Sequence, residues 1–144
     1  MKQGMQVLAL AVLVFGVEAA GAADQAWTRD QVSQGLQAPG RAVTVLYEPA
    51  PRDAAAATGS RITQVYASRD YAGSARVRTQ LCWGSVQGPC VNLQGRSVQT
   101  HAFDGRAATG PLLLVHEVEG WGGSHPPVFV RGTVSVWFAA PGRD

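Results

Sequence analysis

The sequence predicts an all-β protein, an antiparallel β-sandwich or small barrel with one hairpin disulfide. Three observations predict it. Glycine and proline, 17 and 8 of 144 residues, punctuate the chain at short intervals. The segments between them favour β-branched and aromatic residues, and several alternate apolar with polar. Two cysteines, Cys82 and Cys90, flank a loop that holds Trp83, two glycines and Pro89.

The expected strands, in order, are Ala42 to Tyr47, Arg61 to Ala67, Ala75 to Trp83, Val91 to Gln94, Ser97 to Phe103, Leu112 to Glu119 and Val128 to Phe138, the last broken near Gly132. Such spacing is that of an antiparallel sandwich or barrel. Leu112 to Val115 is apolar at every position and belongs between two layers, with His116-Glu117-Val118-Glu119 following it. In the last strand Val134, Val136 and Phe138 share a face and are expected in the core. Gln25 to Gly35 reads as a short turn or an irregular arm. Pro49 to Ser60 reads as a loop, because Pro49, Pro51 and Gly59 leave its alanine run little more than two helical turns.

Strand parity places the cysteines. From Arg76 to Cys82, Val77 and Leu81 share one face while Arg76, Arg78, Gln80 and Cys82 share the other. On the return strand Val91 and Leu93 point together, which leaves Cys90 on the polar face. Zinc would need further ligands at usable spacing, and a thioredoxin-type pair has two intervening residues rather than seven. A cross-strand staple remains, contributing about 2.5 kcal/mol by loop closure.

The chain start explains why such a bridge would form. Lys2 is followed by the apolar run Val7 to Val17 and then by Ala19-Ala20-Gly21-Ala22-Ala23, the parts of a secretory signal peptide cut after Ala22 or Ala23. As a helix that run reaches about 16 Å, roughly half of a hydrocarbon core, so a membrane anchor is the poorer reading. Residues 1–23 are therefore expected to be a leader and 24–144 a single β-rich domain, exported to an oxidising compartment, with no stable membrane insertion after cleavage.

Composition and motifs exclude several classes of function. Without Lys2 and Glu18, eleven arginines face nine acids, and this mild, scattered charge gives no reason to expect nucleic acid. His101, His116 and His125 fall in no metal-ligand spacing, and the glycines of Gly120-Trp121-Gly122-Gly123 would break a zinc-hydrolase helix. Ser124 and His125 lack a nucleophile elbow. Glu117 and Glu119 share a strand face, the pattern of a solvated surface rather than of two acids facing across a cleft. Neither catalytic residues nor a cofactor or metal is expected. Trp83 and Trp121, both in glycine-rich loops, either cover the core or stack on a ligand such as a sugar.

Taken in order, ARVRTQLCWGSVQGPCVNLQGRSVQTHAFDG, GPLLLVHEVEG and PPVFVRGTVSVWF resemble the flagellar FlhE family of small exported proteins. The resemblance lies in the Arg-Val-Arg strand entering Cys82, the Cys-Val-x-Leu-x-Gly return, the strand ending in Phe103, Glu117-Val118 before a glycine-rich turn, and Trp27 just after the leader. It covers Ala75 to Phe138; the stretch Arg29 to Gly73 matches in length and strand spacing, and Trp83, Gly84 and Val86 lie in what looks like an insertion. The resemblance implies a periplasmic, non-enzymatic accessory of flagellar biogenesis that restrains proton leakage through the export apparatus by binding export or basal-body components. Arg76, Arg78, Trp121 and Arg131 are the candidate contact surface. A periplasmic carbohydrate-binding module using Trp83 and Trp121 is the alternative, and a hydrolase built on the histidines is a third.

Overall fold

The computed structural model describes residues 25–141. In chain order the elements are β1 (Gln25–Val32), β2 (Val43–Tyr47), a short helix α1 (Pro51–Ala57), β3 (Arg61–Asp70), β4 (Arg76–Trp83), β5 (Cys90–Asn92), β6 (Ser97–Thr100), β7 (Leu112–Gly120) and β8 (Arg131–Ala139). They form two four-stranded antiparallel sheets, ordered β1-β8-β3-β6 and β2-β7-β4-β5. Their inner faces pack together through one cluster that takes Trp27, Ile62, Val65, Val134, Val136 and Phe138 from the first sheet and Tyr47, Leu81, Leu112 and Leu114 from the second. The expected sandwich and the expected core face of the last strand are both present.

Strand ends differ from expectation at β8, which starts at Arg131 rather than Val128 and runs unbroken through Gly132, at β6, which stops at Thr100 rather than Phe103, and at β5, which is Cys90–Asn92 rather than Val91 to Gln94; two further segments differ in type. Gln25–Val32 is a full strand, paired with β8 from Gln25↔Phe138 to Val32↔Arg131. Its polar sequence hid it because it lies at a sheet edge, where only Trp27 is fully buried and its indole N–H donates to the Ala108 carbonyl at 2.8 Å. Pro51–Ala57 is a helix rather than a loop. Pro51 sits in its first turn, where no backbone donor is lost, Asp53 faces the positive helix end, and the Thr58 hydroxyl donates to Ala54 O at 2.7 Å. Ala57 buries the helix against the core. A bulge between Ile62 and Gln64 moves the inward positions of β3 from even to odd residues, so that Ile62, Val65 and Ala67 all reach the interior.

The Cys82–Cys90 disulfide joins directly opposed residues of β4 and β5, with Cα atoms 4.1 Å apart, the close spacing of a non-hydrogen-bonded antiparallel pair. One detail of the parity reading is corrected. Cys82 lies on the outward side of its strand beside Gln80, yet it is fully buried rather than on an open polar face. The loop after Trp83 curls over it, bringing the Gly88 carbonyl within 3.4 Å of the Cys90 sulfur.

At Gly132 the two sheets approach closely. A Cβ there would collide with the Tyr47 hydroxyl and come within 2.7 Å of Leu114 Cδ1. We expect Gly132→Ala to destabilise by about 1–3 kcal/mol, read from urea midpoints, as an overpacked core does. Cys82→Ala with Cys90→Ala should cost about 2.5 kcal/mol in the same measurement; an unchanged midpoint would show that the staple does not limit stability.

Candidate functional site

The interior is layered. Along β7 the inward residues run Leu112, Leu114, His116, Val118, and along β4 they run Leu81, Thr79, Val77. The apolar members at one end join the main cluster, and Val77 and Val118 at the other join a second one with Leu36, Ala75, Val128 and Val130. Between the two clusters lies a polar layer. Arg69 of β3 crosses from the opposite sheet and donates through Nη1 to the Val77 carbonyl and to Thr79 Oγ1, the latter at 2.8 Å; its Nε donates to Gly95 O at 2.9 Å. Thr79 in turn lies 2.8 Å from His116 Nδ1. With its oxygen accepting from Arg69, the Thr79 O–H is free to donate to Nδ1, which puts the proton of a neutral imidazole on Nε2. His116 is fully buried, and burial, then the charge of Arg69, pushes its pKa down to about 4. Burial likewise lowers the pKa of Arg69.

This arrangement fixes the histidine as a structural group. The sequence signal that His116 is interior is the alternation Leu112-Leu114-His116-Val118. His101 lies elsewhere on the surface, its Nδ1 2.8 Å from Thr63 O and 3.0 Å from Asp104, and His125 is exposed in the loop before β8. Among the described residues no group of three or more His, Cys, Asp or Glu is placed to hold a metal ion.

The residues expected to form a contact surface are distributed rather than gathered. Arg76 and Arg78 point outward from the second sheet. Arg78 is paired with Glu117 at 2.7 Å and lies 4.0 Å from Glu119, so these two acids balance a strand-face arginine, and the Arg76 guanidinium lies over Gly120. Arg131 points outward from the first sheet and makes a two-pronged contact with Asp30, which lowers the Asp30 pKa through hydrogen bonding. Trp121 is half-buried against the second cluster. Trp83 is half-buried against the main one, with Arg106 stacked 5.2 Å from its ring. The two tryptophans flank opposite ends of β7, about 26 Å apart at strand rise, so they form no common platform for a sugar. Ala22 and Ala23 and the apolar run before them lie outside the described residues, and no described helix is long and apolar enough to cross a membrane.

A surface that the sequence reading missed runs along the flank where β1 and β2 form the free edges of their sheets. An open groove of about 1040 Å³ lies there, lined by Arg29, Gln31, Val32, Arg41, Thr44 and Leu46 among others. Three large exposed apolar side chains border it: Val32, Leu46 and Phe129, whose ring approaches Gly35 at the groove wall. In the sequence, Leu46 was legible as an apolar residue on the outward side of an alternating strand.

Comparison with known proteins places this architecture. The family model for flagellar protein FlhE matches residues 34–138. The chain belongs to the FlhE family. The match reaches well upstream of the segment that carried the sequence resemblance, taking in β2, α1 and β3. The flagellar protein FlhE of Escherichia coli (strain K12) is 44% identical over 55 residues, 38% of this chain; the aligned stretch spans 40% of that protein's length. A crystal structure of FlhE superposes with a TM-score of 0.63 at 27% identity, covering 81% of this chain and 98% of that one.

The buried histidine yields a pH prediction. Its ordinary pKa of 6.5 is kept in the unfolded chain, which therefore takes up a proton that the folded state resists between pH 6.5 and about 4. Stability from this residue is complete above pH 6.5 and is lost as pH falls, by on the order of 3 kcal/mol. Urea midpoints at pH 7 and 4.5 should diverge more in the wild type than in His116→Leu; equal divergence would contradict the assignment.

Proposed function

We propose that the chain is an exported accessory protein that works in the periplasm and regulates the flagellar export apparatus, limiting proton leakage by binding a protein partner. Family membership over residues 34–138 is the observation that carries this reading. The leader supports export: Lys2, the apolar run Val7 to Val17 and the small residues up to Ala23 are read as a signal peptide on residues 1–23, followed by one domain on 24–144. The disulfide supports an oxidising destination. A rigid sandwich whose polar interior is committed to its own packing leaves the flanks and loops for contact, so the action is binding at a surface of export or basal-body components.

Deleting the gene should lower cytoplasmic pH in cells carrying assembled export gates, and restoring the wild type should reverse the change. Unaltered pH and unaltered flagellation in the deletion strain would overturn the role. Complementation with Arg76→Glu plus Arg78→Glu tests the arginine face separately: full rescue by the folded variant removes that face from the contact. Protein from the periplasm should begin at Ala23 or Asp24 by mass spectrometry, whereas membrane-bound protein that retains Lys2 would refute export as a cleaved chain.

A further inference from the structure

Of the four sheet edges among the described residues, three are blunted. β1 carries Arg29 and Asp30, β5 is three residues long and tied by the disulfide, and β6 is four residues long. Short length and charge are the usual means of keeping an edge from pairing with another chain. β2 has neither protection in the same measure: its five residues, Val-Thr-Val-Leu-Tyr, contain no charge, no proline and no bulge, and they are strong strand formers.

The orientation of its free backbone groups follows from one bond. The Gln31 side-chain amide donates to the Leu46 carbonyl at 2.6 Å, so Leu46 faces away from β7. The Tyr47 carbonyl, by contrast, lies on the β7 side near Gly110. Alternation then puts the N–H and C=O of Thr44 and the N–H of Leu46 on the open flank, while Val43, Val45 and Tyr47 pair with β7. Gln31 already makes, from a side chain, the bond that the N–H of an added strand would make. Thr44 and Leu46 also turn their side chains outward from the second sheet, while Arg29 and Gln31 lie on the inward side of β1 across the groove.

We propose that the β2 edge is an acceptor for one extended peptide segment of a partner protein, with apolar and acidic residues in alternation. The main chain would pair with Thr44 and Leu46, and the apolar side chains on its outer face would cover Leu46, as strand-adding recognition sites do. The acidic preference comes from the lining, where Arg29 and Arg41 face a single acid, Glu48, and neither arginine has an ion-pair partner among the described residues. The inference rests on the reading that the protein acts by binding a protein partner, and names the chemistry of the segment bound.

The test uses the purified, disulfide-bonded protein and immobilised nine-residue peptides that alternate valine with aspartate, serine or lysine. The valine–aspartate set should bind most tightly. Thr44→Pro, which removes one edge N–H, and Leu46→Asp, which places a charge on the edge, should each weaken binding about tenfold or more while thermal unfolding stays cooperative. Arg29→Glu with Arg41→Glu should shift the preference to the lysine set. The proposal is overturned by no binding in any set, by equal binding of aspartate and lysine sets, or by a folded Thr44→Pro that binds as the wild type does. A concentration-dependent dimer abolished by Thr44→Pro would assign the edge to a second copy instead. These outcomes do not depend on the deletion phenotype, so failure here and failure of the flagellar role are separable.

Discussion

The inward stripe of β7 sets the terms for the rest of the molecule. Leu112, Leu114, His116 and Val118 lie on one face of a strand that is paired on both sides, by β2 and by β4. A period of two leaves no choice about which residues reach the interior once one of them does, and a slip by one would send Leu113, Val115 and Glu117 inward instead. The opposite sheet answers with Val134, Val136 and Phe138 of β8 over the apolar end, and with Gly132 where Tyr47 and Leu114 leave no room for a side chain. At the position of His116 the partners are polar: Arg69 and Thr79 form a hydrogen-bonded layer across the sandwich that pairs Nδ1 and leaves Nε2 buried without a partner.

That polar layer divides the core into two apolar clusters and leaves His116 neutral, its pKa held at about 4 by burial and by the neighbouring guanidinium. A buried imidazole hydrogen-bonded on one side and packed between strands has no path to substrate or solvent. Its consequences are for stability and its pH dependence. Contact functions are thereby confined to the outer faces and edges. On the faces, Arg78 and Arg131 are already matched by Glu117 and Asp30 within the protein. The β1–β2 flank adds exposed apolar groups beside two arginines that have no ion-pair partner among the described residues.

Most of the strand framework was legible in the sequence because alternation and punctuation are strong wherever one face is buried. β2, β4, β7 and the core face of β8 stand where the pattern placed them, to within a residue or so at their ends. What escaped notice was governed by tertiary context. β1 has a polar sequence and is held as a strand by pairing with β8 and by one buried tryptophan. α1 is too short to form alone and survives because Ala57 is buried. Cys82 obeys strand parity but is roofed by a loop whose path parity does not describe. The contact residues were the least legible, since Val32, Leu46 and Phe129 are ordinary apolar residues until the fold leaves them uncovered.

β2 is a strand bonded on one side only, inside a sandwich centred on β7 and β8. Amide hydrogen exchange measured residue by residue tests this directly. Exchange should be slowest along β7 and β8 and should alternate along β2, with Val43, Val45 and Tyr47 protected and Thr44 and Leu46 exchanging rapidly. Uniform protection across Val43–Tyr47 in the isolated monomer would contradict it, because the edge would then already be paired.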